Sequence, residues 1–406
     1  MEAERFRKLW ETLLPLGRAA AGQPGGGWLR YSWSEADLAA RAWFIEQATA
    51  RGLAVETDRN GNLFAWLGDP STGDAVVTGS HLDSVPHGGA YDGPLGVVSG
   101  LLALDELADR GRTPRRPVAV AVFTEEEGAR FGLACLGSRL LTGAVDPERA
   151  RALADPEGVT LASAMRAAGG DPAAIGPDPE RLARIGCFLE LHIEQGRALV
   201  DVDAPVGIAS GIWPHGRWRL ELTGAGNHAG TTVMADRRDP MLTAAFTVLA
   251  ANKDARLRGA HATVGRLEAS PNATNAVPAA ATLWLDARAP DAATLDELVA
   301  AITTRAQDRA GRDGTRLAVT PESISPAVTF DPALRERLGA VLPGAPVLAT
   351  AAGHDAGVLA GHVATGMLFV RNPSGVSHAP AEAASDDDCA AGVTALADAL
   401  ESLACG

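Results

Sequence analysis

The chain has 406 residues, 46% of them hydrophobic and 21% charged, with a formal net charge of −14. That length exceeds what a single core usually supports, so two domains are expected, and the composition is that of a soluble globular protein. The acidic balance excludes a basic stripe able to neutralise nucleic-acid phosphates, although local arginines can still serve an anionic substrate. The four cysteines, at 135, 187, 389 and 405, form no CxxC pair. They suit a reducing cytoplasm better than a disulfide framework or a thiolate metal site. There is no signal-peptide pattern and no apolar run approaching about 18 residues, so the expectation is a cytoplasmic protein with no membrane partner.

Residues 2–20 space Phe6, Leu9, Trp10, Leu13 and Leu14 along one helical face. A second helix is expected from Ser34 to Arg51, stopped by Gly52. Strands over 53–56 and 63–67 follow, joined by a turn containing Asn60-Gly61-Asn62. Ala75 to Gly79 reads as a short buried strand, and the glycine-rich stretch GSHLDSVPHGGAYDGPLG occupies 79–96. His81 stands at the strand's exit, where open α/β sheets place their ligands. The glycines at 88, 89, 93 and 96 let the backbone return Asp92 beside it. An imidazole and a carboxylate on a rigid support suit Zn²⁺ or Mn²⁺, but a polar turn with a solvated His and Asp reads the same in isolation.

A helix is expected over 97–110, then the apolar strand 118–123, of the kind buried on both faces in a parallel sheet. It runs straight into Thr124-Glu125-Glu126-Glu127-Gly128. Three carboxylates at the end of a buried strand are costly without a cation, so this is a metal or acid–base site, or else a solvated acidic turn. Residues 143–185 read as surface helices and loops. In 187–196 the alternation puts Glu190, His192 and Glu194 on one strand face, and His192 alone reads as structural.

The texture changes from about residue 209. A half-exposed strand over 218–224 leads into AGNHAGTT, a long helix over 239–255, strands at 262–267 and 281–287, a helix at 291–310 and a strand near Leu317. Strand, helix, strand, strand, helix, strand is the ferredoxin-like pattern. Alternation of strand and helix resumes near 345. The motif AGHDA opens a helix, the strand 367–370 leads to SGVSHAP, and a last helix spans 385–403 with Asp386, Asp387 and Asp388 in its first turn. We therefore expect 1–208 and 326–406 to form one domain and 209–325 an insertion in it.

His81, Asp92, the Glu126–Glu127 pair, His192 and His378 all fall at or near predicted strand ends. Histidines with carboxylates between them suit a dinuclear hydrolytic site, in which one carboxylate bridges cations roughly 3.5–4 Å apart. A further carboxylate must stay near the attacking water to take its proton.

The motifs GSHLDSVPHGGAYDGPLGV, FTEEEGARFG, LHIEQG, NHAGTT, PNATNAVP, LDAR, AGHDA and GVSHAPAE run in that order over nearly the whole chain. By them the sequence resembles the dinuclear metal-dependent aminoacylase/carboxypeptidase superfamily. Within it, the likeness is to the hydantoinase/carbamoylase branch of allantoate amidohydrolases and N-carbamoyl-L-amino acid hydrolases. The resemblance implies an α/β fold: a zinc-peptidase-like catalytic domain with a mixed, largely parallel sheet, and an inserted ferredoxin-like α+β lid domain through which a homodimer forms. It implies two divalent metal ions, Zn²⁺ or Mn²⁺ with Co²⁺ or Ni²⁺ as alternatives. His81, Asp92 and His192 would hold one, and Asp92, Glu127 and His378 the other. Asp92 would be the bridge, and Asp83 would orient His81.

Glu126 would be the general base for the bridging water and then the proton donor to the leaving nitrogen. Glu125 is an extra acid relative to the family pattern; counting back from Gly128 leaves it a bystander. His228 would polarise the scissile carbonyl, from its own subunit or a partner. Asn275 and Arg288 would grip the substrate carboxylate, although spacing alone reads Arg288 as a surface ion pair. Gln195, Gly353 and His354 would also contact substrate. Val233 replaces the proline of the family's HAGTTPM, which loosens that turn. His87, His215, His261 and His362 match no catalytic position.

The substrate implied is a small ureido carboxylate. Similarity of RYSWSEADLAARAWF and FVRNPSGVSHAPAE to allantoate amidohydrolases favours allantoate, with N-carbamoyl-L-amino acids as the alternative. An aminopeptidase or carboxypeptidase is disfavoured by LHIEQG and the Asn275/Arg288 pair. A non-catalytic relative is disfavoured because neither the base nor any ligand is missing.

Overall fold

Apolar strands set the frame of the molecule. The computed structural model describes residues 2–20 and 25–406. It divides the chain into two compact units, Met1–Gly211 with Thr329–Gly406, and Ile212–Val328.

The first unit is built on a nine-stranded sheet. Its centre is parallel: Val118–Phe123, Ala75–His81, Ile185–Ile193 and Ala364–Val370 lie side by side in that order. Leu63–Leu67 and Ala54–Thr57 extend one flank and Val206–Ile212 begins the other, all antiparallel. The sheet is therefore mixed, with parallel strands where the chain is most apolar; every residue of Ala75–His81 and Val118–Phe123 is buried. Both faces of such strands need cover. Helices Pro94–Asp109, Asp386–Leu400 and Glu2–Leu13 pack on one another in the core that covers one of those faces.

Local chemistry sets the helix ends. Ser34 accepts the Asp37 N–H and caps Glu35–Ala50. The helix expected from Val97 begins at Pro94 instead, because proline's fixed φ suits the first helical position and Gly93, at φ +86°, makes the turn before it. The last helix ends at Leu400, short of the expected 403, and continues as one wider turn over Glu401–Cys405.

The second unit is a four-stranded antiparallel sheet with two helices, Pro240–Leu257 and Ala292–Asp313. In space the strands run Arg316–Ser325, His215–Thr223, Ala280–Arg288, His261–Ser270. That is order 4-1-3-2, the ferredoxin-like arrangement. Ala281, Leu283, Leu285 and Ala287 alternate inward to share a core with the helices. A two-residue ladder, Asn227–His228 against Ala276–Val277, continues beyond the paired Thr223 and Ala280. Among the described residues no helix is long and apolar enough to cross a membrane.

Candidate dinuclear metal site

Parallel strands bring their carboxyl ends to one edge, and register decides which side chains meet there. Thr78 lies opposite Leu189. Carrying that register three residues on sets His81 level with His192, and their rings lie 6.0 Å apart. On the other side His81 pairs with Phe123, so Thr124 to Glu127 leave the sheet beside it. Asp92 reaches the pair from the returning loop. Its Oδ1 is 3.5 Å from His81 Nε2 and 3.2 Å from His192 Nε2. Gly93 makes that approach possible, because a Cβ there would stand 2.4 Å from the His81 ring.

The other oxygen of Asp92 faces a second group. Oδ2 is 3.3 Å from His378 Nε2, which is 3.4 Å from Glu127 Oε2. His81, Asp92 and His192 form one set of ligand atoms within 4.8 Å of one another, and Asp92, Glu127 and His378 form another. Asp92 belongs to both.

The donor set fits a divalent cation. His81 Nδ1 lies 3.0 Å from the Asp83 carbonyl oxygen, and His192 Nδ1 lies 2.8 Å from that of Ile193. A carbonyl can only accept, so both Nδ1 atoms carry a proton and both Nε2 atoms are left to take a positive charge, a proton or a metal ion. Those Nε2 atoms are buried without a hydrogen-bond partner and point at a carboxylate oxygen. Lone pairs facing one another out of water repel unless positive charge lies between them.

Asp83, expected to orient His81, meets that ring with its main chain and not with its carboxylate. Its carboxylate is 3.6 Å from His81, too long for a hydrogen bond, and instead accepts the N–H groups of Glu126 at 3.2 Å and Glu127 at 3.1 Å. It steadies His81 through its main-chain oxygen and the acidic turn through its side chain.

Glu126 Oε2 is 3.6 Å from His81 Nε2, while its Oε1 accepts the Cys135 thiol at 3.4 Å. Glu125 is fully buried and turned away: Oε1 accepts the N–H groups of Arg130 and Phe131. It braces the next turn. Gln195 donates to Asp92 Oδ2 at 2.8 Å, and so does the Ser377 hydroxyl at 3.0 Å. The buried His354 ring stands edge-on to His192 at 4.5 Å, and its Nε2 has no hydrogen-bond partner; Gly353 is exposed. Glu190, His192 and His354 form a third set of suitable spacing. The Glu190 oxygens, however, are taken by the Ser80 hydroxyl and the Ala356 N–H.

Charge and burial set the protonation of the cluster. Burial pushes Glu126 well above the usual carboxylate range, with Asp355 and Glu127 adding to it against His81. Burial, with Asp92, pushes Glu127 up to about 7. The Asp92 hydrogen bond raises His378 to about 9. Burial alone would raise Asp92, but the surrounding histidines, His192 foremost, hold it well below its ordinary value.

The remaining expected residues belong to the second unit. His228 pairs with Ala276, and the Ala229 N–H donates to the Asn275 carbonyl, so His228 and Asn275 are neighbours on exposed backbone. His228 Nδ1 accepts the N–H groups of Gly230 and Thr231, which leaves the ring proton on Nε2. Arg288 is elsewhere. It pairs with His215 and His261 at the far end of Ala280–Arg288, and its Nε donates to Asp286 at 2.8 Å. Eight strand steps, about 27 Å, separate the two ends of that strand. One copy of the chain therefore does not bring Asn275 and Arg288 onto one carboxylate.

Sequence reasoning passed over Glu382, Ser377 and Cys135. Ser377 and Glu382 reach Asp92 from a distant loop and Cys135 reaches Glu126 from the turn after it, and none carries a period or a spacing that would single it out. Ser377 and Glu382 lie inside the GVSHAPAE motif, which was the available signal.

Residues 77–402 match the sequence model of peptidase family M20/M25/M40. The chain is 36% identical over 405 residues to an N-carbamoyl-L-amino acid amidohydrolase of Geobacillus stearothermophilus, covering 98% of each. It is 32% identical over 408 residues to the allantoate amidohydrolase of Escherichia coli, again covering 98% of each. A solved structure of a hydantoinase/carbamoylase family amidase from Burkholderia vietnamiensis superposes with a TM-score of 0.87 at 31% identity, covering all of this chain and 98% of the other.

Proposed function

The chain belongs to peptidase family M20/M25/M40, as a hydrolase acting on C–N bonds, and from that premise we propose that it cleaves the ureido C–N bond of a small ureido carboxylate. The observation that carries the reading is Asp92, whose two oxygens face two separate histidine sets, with Glu126 beside them.

In this reading His81, Asp92 and His192 hold one divalent ion, and Asp92, Glu127 and His378 hold the other. Zn²⁺ and Mn²⁺ are the first candidates, and Co²⁺ or Ni²⁺ fit the same nitrogen and oxygen donors. When bound, such ions polarise a carbonyl and acidify water. The rest is done by side chains. Glu126 takes a proton from the attacking water at Oε2 and passes it to the leaving nitrogen, and its burial favours holding that proton. His228 donates from Nε2 to the oxygen that gains charge. Arg288 and Asn275 bind the substrate carboxylate, with Gln195, Gly353 and His354 at the substrate's other contacts. For Arg288 this requires Asp286 to share its guanidinium.

His228 and Asn275 lie at the opposite end of their sheet from Arg288, which favours a homodimer in which two copies complete each site. An exposed stripe of Leu242, Phe246, Leu249 and Leu257 on helix Pro240–Leu257 supports an interface in the same unit.

Allantoate is the leading substrate. N-carbamoyl-L-amino acids are the second reading, favoured by the 36% identical relative. Ammonia release from allantoate and from several N-carbamoyl-L-amino acids, measured on metal-reconstituted enzyme, separates the two. Turnover of either class supports a ureido hydrolase. Peptide cleavage with neither class turned over would refute it.

A further inference from the structure

We propose that Glu382 is a positioning residue for Asp92, fixing the shared carboxylate by holding the main chain on which it is carried. The inference rests on the dinuclear reading above and names a residue outside its ligand set. None of the metal-capable groupings among the described residues includes Glu382.

Glu382 is buried, 5% exposed, and its Oε1 accepts two consecutive main-chain N–H groups, Tyr91 at 2.8 Å and Asp92 at 2.9 Å. A carboxylate bound to both N–H groups fixes the orientation of the peptide unit immediately before the Asp92 Cα. It thereby sets the direction in which the Asp92 side chain leaves the backbone. Glycines at 88, 89 and 93 leave the loop's own backbone weakly constrained, so an outside anchor matters here.

Three further contacts mark the arrangement as built. Gly89 makes room for the carboxylate: a Cβ there would lie 2.4 Å from the Glu382 carboxyl carbon and 2.5 Å from its Cβ. The Glu382 N–H donates to the Ala379 carbonyl and closes the turn that follows His378. Tyr91 ties the same two loops again, its hydroxyl donating to the Ala384 carbonyl while its ring stacks on Trp10 at 4.8 Å. Because His378 and Glu382 share one loop, Glu382 also sets the spacing between Asp92 Oδ2 and the histidine it faces. The two halves of the second metal set are thus registered by protein contacts.

Metal affinity of the metal-free protein tests this without reference to turnover. Wild type, E382A, E382Q and G89A are titrated with Zn²⁺ against a competing chromophoric chelator, and each is melted metal-free to verify its fold. Loss of a group that orients ligands weakens metal binding about 10–100-fold, and that is the result expected for E382A. E382Q should recover most of the affinity, since an amide oxygen accepts the same two N–H groups. G89A, which displaces Glu382 without removing it, should weaken binding in the same direction and decides the matter if E382A does not fold. Wild-type affinity in E382A or G89A would overturn the proposal, as would a folded E382Q no better than E382A. A wild type that binds no metal at all would instead overturn the dinuclear reading, and this inference with it.

Discussion

The two units prepare chemistry in opposite ways. In the first, most groups around Asp92 are fixed from behind: His81 and His192 by carbonyl oxygens, Glu126 and Glu127 by Asp83, and Asp92 by Glu382. Most of these groups are buried, with His378 the exposed exception. In the second, His228 and Asn275 sit on exposed backbone, and Arg288 is engaged by Asp286 at the other end of the sheet. The first is preorganised for charge; in the second, the groups proposed to meet substrate stand apart from one another. Reacting groups gain from being held in advance, whereas substrate-gripping groups must let substrate in and out.

Asp92→Ala attacks the first unit at its centre and should have the largest effect. Activity should fall to background with loss of bound metal, read by elemental analysis after gel filtration. Retained metal and turnover would show that the two histidine sets do not share this carboxylate. Next comes Glu126→Gln, expected to lower kcat by about 10²–10⁴ while metal content stays at the wild-type level. Loss of metal together with activity would make Glu126 a ligand instead of a base.

The second unit is broken by His228→Ala, expected to cost about 10²–10³ in kcat. Mixing that variant with Glu126→Gln sharpens the comparison. If His228 acts from the partner copy, a mixed dimer contains one intact site and regains activity that neither parent has. No recovery on subunit exchange would place His228 in its own chain's site.

The smallest effect is on protons. His378, raised to about 9, is charged at neutral pH in the metal-free protein and must lose its proton to present a lone pair. Metal affinity should therefore rise as pH climbs towards that value and level off above it. Calorimetry in buffers of different ionisation enthalpy should report proton release at neutral pH. Proton-neutral binding would mean that His378 is not a ligand.

Much of this site was legible in the sequence for physical reasons. An all-apolar strand such as 118–123 has few places to lie, and the polar residues after it must emerge at the sheet's edge. His81, Glu126, Glu127 and His192 were located that way, and the glycines around Asp92 signalled a returning loop. The ferredoxin-like order was readable because its alternation of strand and helix is local. Contact between distant segments was not legible. Asp83 spends its carboxylate on a turn more than 40 residues ahead, and Glu382 holds a loop 290 residues behind it. Glu125 looked idle beside the two acids of the proposed site, yet its left-handed backbone at φ 54° turns it inward to brace Arg130 and Phe131. The separation of Arg288 from Asn275 is a consequence of strand register, which motif order does not encode.

The central claim is that one carboxylate, Asp92, serves two metals. Titrating the metal-free wild type with Zn²⁺ and counting bound ions per chain tests it most directly. Two equivalents are predicted, with neither retained tightly once Asp92 is replaced by Ala. A single equivalent in a fully active enzyme would contradict it.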